Sequence, residues 1–131
     1  MSAEIAALVC AALLQIGTLF VLAVFANMEL GSRWTMSPRD LAPEHQLSRF
    51  TARLKRAYEN HFEGLALFIA AVVAVEASGE NSAVTALAAW AYVIARLAYV
   101  PAYVMGLVPW RSVLFGVGLM ATLVMLFAAL I

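Results

Sequence analysis

Hydrophobic positions along the chain gather into four long runs, separated by short polar stretches. The first, Ile5 to Met28, carries no charge and is long enough to cross a hydrocarbon core of ~30 Å. Nothing basic precedes it, so it reads as a membrane span rather than a signal peptide. A second span is predicted from near Arg56 to near Glu76. Only its later part, Gly64 to Val75, is free of charge, so its polar first half must enter the interface or the bundle interior. The segment Glu76 to Ser82 reads as a turn at Gly79, with Asn81 or Ser82 able to cap the next helix. Span three is expected from about Ala83 to Tyr103, then a tight loop from Val104 to Pro109. Pro109 and Trp110 mark the interface where a fourth span begins and runs to Ile131.

The predicted fold is therefore all-α: an integral membrane four-helix bundle formed as one domain over residues 1–131. Composition agrees, with 65% hydrophobic and 12% charged residues and a mean hydropathy of +0.92, which excludes an ordinary soluble domain. Eight Lys and Arg balance eight Asp and Glu, so net charge points to no partner, and no nucleic acid is expected. Their placement is informative. The first loop, Glu29 to about Lys55, holds Arg33, Arg39, Arg49, Arg53 and Lys55, the second loop holds no Lys or Arg, and Arg111 follows the third. The positive-inside rule then makes loops one and three cytoplasmic and puts both termini on the opposite side. Ser37-Pro38 and Ala42-Pro43 mark loop one as an irregular surface segment. Cys10, the sole cysteine, reads as a small buried hydrophobe. His45 and His61 lack metal-ligand spacing, so no metal site is expected.

Two polar stripes interrupt this apolar chain. Arg53, Arg56, Asn60 and Glu63 are spaced three, four and three residues apart and share one face of the second helix. Tyr92, Arg96, Tyr99 and Tyr103, spaced four, three and four, do the same on the third. Arg96 lies ~10 Å deeper than Tyr103 at the helical rise. Taken singly, the tyrosines read as interfacial belt residues and Arg53, Lys55 and Arg56 as topology anchors. Glu63 and Arg96, at matching depth, are expected to form a buried ion pair. Taken together, the residues suit a small polar ligand bearing carboxylates and an amine. Arginine grips a carboxylate in a bidentate fork, Glu accepts from an ammonium, and Asn and Tyr add directional hydrogen bonds. Gln15 in the first span reads as an inter-helix hydrogen-bonding group, and Gly116 and Gly118 as sites of close helix approach.

The string R-x-x-R-A-x-x-N-x-x-E (Arg53, Arg56, Ala57, Asn60, Glu63) resembles the signature of the MAPEG superfamily, membrane-associated proteins in eicosanoid and glutathione metabolism. Ala95 to Tyr103, followed by Arg111-Ser112-Val113, resembles that family's third- and fourth-helix motif, and length and span number extend the likeness over the whole chain. The resemblance implies a homotrimer with glutathione as cosubstrate between adjacent subunits, as in microsomal glutathione transferases. It places Arg53, Arg56, Asn60, Glu63, Arg96, Tyr99 and Tyr103 at the glutathione site, and Arg111 beside the sulfur with Ser112 next to it. It also implies a hydrophobic small molecule or lipid as second substrate, reached through a lipid-facing cleft. Glu59 stands where prostaglandin E synthase has another ligand-binding arginine, and Phe115 where it has a tyrosine. These departures argue against a prostaglandin synthase, and the short loops suggest a bacterial inner-membrane relative. The competing readings are a non-catalytic scaffold of the same fold, like the five-lipoxygenase-activating protein, and a small four-span multidrug transporter. The transporter would need a carboxylate in mid-span one, where this chain offers only Gln15, Thr18 and Asn27.

Overall fold

Five helices follow from local capping chemistry and then from burial. The structure, a computed structural model, describes residues 1–131. Helix α1 (Ala3–Leu30) begins where the Ser2 hydroxyl accepts from the Ile5 amide, and it ends at Gly31, whose φ of +83° suits a residue without a Cβ. A single turn, α2 (Ser32–Thr35), opens the first loop. Helix α3 spans Arg49–Ser78, α4 Ala83–Val104 and α5 Trp110–Ala128. Gly79, left-handed at φ +76°, closes α3, and a Ser82–Thr85 capping box opens α4. Helix α4 continues past Pro101 to Val104; the proline lies about one turn from the helix end and frees a single carbonyl, that of Leu97.

The helices α1, α3, α4 and α5 are each long and apolar enough to cross a membrane. Their boundaries agree with the sequence reading except at the start of α3, which begins at Arg49 rather than near Arg56. The Ser48 hydroxyl caps the helix by accepting from the Thr51 amide at 3.2 Å, and a tertiary contact holds that cap. The Glu29 carboxylate, at the end of α1, accepts from the Ser48 amide (2.9 Å), the Ser48 hydroxyl (2.7 Å) and the Thr51 hydroxyl (2.8 Å). The negative group thus sits at the positive end of the α3 dipole and fixes its first turn. Loop one is correspondingly shorter, and Arg49, Arg53 and Lys55 stand on a helix.

Ala57, Leu65, Phe68, Val72 and Val75 form the buried seam of α3 at helical spacing. Leu65, Phe68, Val72 and Val75 pack with Ala7 and Ala11 of α1, Ala88, Ala89 and Tyr92 of α4, and Ala121 and Met125 of α5. Many core positions are alanine, which lets the helix axes approach closely. The opposite faces are unusually apolar for exposed surface, with Leu13, Phe20 and Met28 on α1 and Val113, Met120 and Phe127 on α5 all exposed. Such a surface is stable against acyl chains and not against water.

Two ends of the bundle differ in chemistry. One, the basic end, holds loop one, the α4–α5 connection and all eight Lys and Arg except Arg96. At the other lie both termini and the α3–α4 turn, where buried Glu4 accepts from the Thr85 hydroxyl at 2.5 Å and Glu76 accepts from Ser2 and Asn81.

Candidate functional site

Arg96 is the centre of the polar region. Its side chain is only 2% exposed, in the middle of a helix that crosses the bundle. Two glycines make the room. A Cβ on Gly64 of α3 would lie 2.2 Å from Arg96 Nη2, and one on Gly118 of α5 would lie 3.3 Å from its Nε. Between those bare backbones the guanidinium lies within cation–π range of Tyr92 (5.3 Å), Tyr99 (5.5 Å) and Phe115 (5.4 Å). Its Nη1 donates to Asn60 Oδ1 at 2.9 Å.

The ion pair expected between Arg96 and Glu63 does not form within the chain. The only ion pair is the surface one between Lys55 and Glu59, at 2.6 Å. Depth alone suggested Glu63, but azimuth decides. At 100° per residue Glu63 lies about 60° farther from the core seam than Asn60, so its carboxylate is exposed on the flank of α3. Gly118 behaves as expected of a close-approach position, whereas a Cβ on Gly116 would meet nothing within 4 Å, so Gly116 serves no such contact here.

From Arg96 a crevice between α3, α4 and α5 opens toward the basic end. Its inner part, about 130 Å³, is walled by Asn60, Glu63, Gly64, Arg96 and Thr122. Its outer part, about 200 Å³, is walled by Asn60, Tyr99, Tyr103, Arg111 and Ser112. Asn60 and Phe115 belong to both parts. Seven of the nine residues picked out by the sequence thus meet in one place. The Tyr103 ring lies within cation–π range of two guanidinium groups, those of Arg111 (5.0 Å) and Arg56 (6.0 Å), so Arg56 stands near the outer crevice without lining it.

Arg53 does not line the crevice. Its Nη1 donates to the Val104 carbonyl at 3.3 Å and lies over Gly106, where a Cβ would come within 2.8 Å. Within the chain it clamps the α4–α5 connection to α3. Gly106 has a φ of +70°, so alanine there would meet both backbone strain and the guanidinium. Gly106→Ala is expected to destabilise the protein by about 1–3 kcal/mol. A detergent melting curve unchanged from the parent would contradict the clamp.

Two further features escaped the sequence reading. His61, at the level of Arg96, is fully buried, and its place in the series Ala57, His61, Leu65 and Phe68 marked it as core-facing. On the other side of the chain an open apolar cleft of about 600 Å³ runs between α1, α3 and α4, walled by Leu14, Val21, Leu54 and Val100 among others.

Chemically, the crevice offers guanidinium groups at both depths, an uncommitted carboxylate, tyrosines, a hydroxyl and an amide. That set can hold a zwitterion with more than one carboxylate. No curated protein and no solved structure matches the chain. The family model described as MAPEG family matches residues 7–131, nearly the whole chain, and the protein belongs to that family.

Proposed function

We propose that the protein is a membrane-bound, glutathione-dependent transferase or peroxidase acting on a hydrophobic electrophile. Membership of a family that works in eicosanoid and glutathione metabolism supports this reading. The single observation that carries it is the crevice, in which Arg96, Arg111, Glu63, Asn60 and two tyrosines converge on one small space. The residues fit the tripeptide. Arg96, desolvated and with its Nε unpartnered in the protein, matches a carboxylate, and exposed Glu63 matches an ammonium.

When bound, glutathione supplies the nucleophilic sulfur. The chain supplies orientation and charge. Arg56 and Arg96 fix the carboxylates, Glu63 the amine, and Tyr99 and Tyr103 the peptide groups. Arg111, always cationic, favours the thiolate over the thiol, and Ser112 can donate a hydrogen bond to it. Arg53, held against Val104, acts by keeping the α4–α5 connection, and hence Arg111, in place. The crevice opens on the outer side of α3 and α5, which accords with a homotrimer in which a neighbouring subunit completes it. The basic end then faces the cytoplasm, the termini lie outside, and the electrophile enters from the lipid.

Glutathione is expected to raise the melting temperature of detergent-purified protein, and the shift is expected to vanish in Arg56→Ala and Glu63→Ala protein. Thiolate absorbance should appear on mixing. Binding without thiolate absorbance would favour a non-catalytic scaffold, and no shift in the parent protein would remove glutathione from the account.

A further inference from the structure

Beneath the crevice, on the α1 side of Arg96, lies a second polar group that the proposed reaction does not use. Three side chains from three helices, apart from Arg96, carry buried atoms without a hydrogen-bond partner in the protein. They are Gln15 Oε1, both nitrogens of His61 and the Tyr92 hydroxyl. Gln15 is held by its amide, which donates to the Tyr58 carbonyl at 3.2 Å, one turn before His61. The rings of His61 and Tyr92 are neighbours, with centroids 6.3 Å apart, and the Tyr92 ring lies against Arg96.

His61 and Tyr92 are both 0% exposed, so a neighbouring subunit cannot reach them. Buried donors and acceptors are almost always paired, because an unmade hydrogen bond there forfeits hydration with no return. The set is balanced. A neutral imidazole has one donor and one acceptor, Gln15 Oε1 accepts, and a tyrosine hydroxyl does both. An ion would find a lopsided set, whereas a molecule with two donors and two acceptors fits. The adjoining core positions are small. Ala11 lies four residues before Gln15, Ala57 four before His61, and Ala88 four before Tyr92, all buried.

We infer that the bundle interior binds water at the level of His61, bridging Gln15 Oε1 and the His61 imidazole to the Tyr92 hydroxyl. The site is independent of whatever occupies the crevice. It gives a hydrogen-bond partner to the Tyr92 hydroxyl, which lies beside the Arg96 guanidinium under Gly64.

The chain has only two histidines, which makes the test direct. In liposomes, water-edited solid-state NMR on uniformly ¹⁵N-labelled protein would follow magnetisation from water protons to each histidine ring and to the Val72 amide. His45, exposed in loop one, is the positive control, and fully buried Val72 is the dry one. His61 is expected to build up as early as His45. Build-up as late as Val72 would overturn the site. Tyr92→Phe removes only the hydroxyl and should cost His61 its early component, and full retention in that variant would overturn the bridge. Gln15→Leu should act in the same direction, and since the parent protein alone decides whether water is present, poor folding of a variant leaves the result standing.

Discussion

Gly64→Ala is expected to lower the melting temperature and abolish glutathione retention together. In a helix, alanine ordinarily gains up to about 1 kcal/mol over glycine. Here the added methyl would lie 2.2 Å from Arg96 Nη2, 2.9 Å from Cζ and 3.3 Å from the Tyr92 hydroxyl. A guanidinium on a flexible stem usually swings aside at little cost. This one is hemmed in by Gly118 and the Tyr92, Tyr99 and Phe115 rings, and moving it breaks its bond to Asn60. Overpacking costs of about 1–3 kcal/mol then exceed the propensity gain. The decisive measurement is a double-mutant cycle with Arg96→Met, read by thermal melts in detergent. Once the guanidinium is gone the methyl should be harmless, so strong coupling is expected, and additive effects would refute the cradle. Arg96→Met alone should leave stability near that of the parent, because apolar replacement of a buried charge is often neutral or better, while glutathione binding is lost.

For Arg111→Leu the expected result is a rate nearly tenfold or more lower at neutral pH, with glutathione affinity much less affected. A free thiol titrates near ~8.5, and a guanidinium alongside lowers that by about one unit or more. The direction follows from charge. A cation favours the anionic sulfur, so its removal raises the pKa of the bound thiol and moves the ascending, acid-side limb of the pH–rate profile to higher pH. Arg111→Lys keeps the charge without the fork and should restore part of the shift. A profile that falls in height without moving would assign Arg111 to binding alone.

Most of the bundle was written in the sequence, since span length, apolar periodicity and the caps at Gly79 and Ser82 are local signals. The start of α3 has a local cap in Ser48, which the sequence reading passed over, and a support it could not show in Glu29, nineteen residues earlier. The two polar stripes were legible as helical faces, and so was their convergence. The partner of Arg96 was not, because counting residues gives depth and leaves rotation about the axis open, and the choice between Asn60 and Glu63 rests on rotation. The space that admits Arg96 comes from what Gly64 and Gly118 lack, which a search for functional groups passes over. Arg53 matched its motif and yet bonds the α4–α5 connection, a contact set by tertiary packing.

The missing link between Arg96 and Glu63 has a consequence for binding in salt. Folding has already stripped the inner guanidinium of its hydration, and no internal counter-ion has to be displaced from it. An incoming anion therefore meets a bare cation shielded from mobile electrolyte, whereas exposed Arg56 stays within reach of the ionic atmosphere. Raising ionic strength should then slow capture at the rim far more than it hastens escape from the inner end.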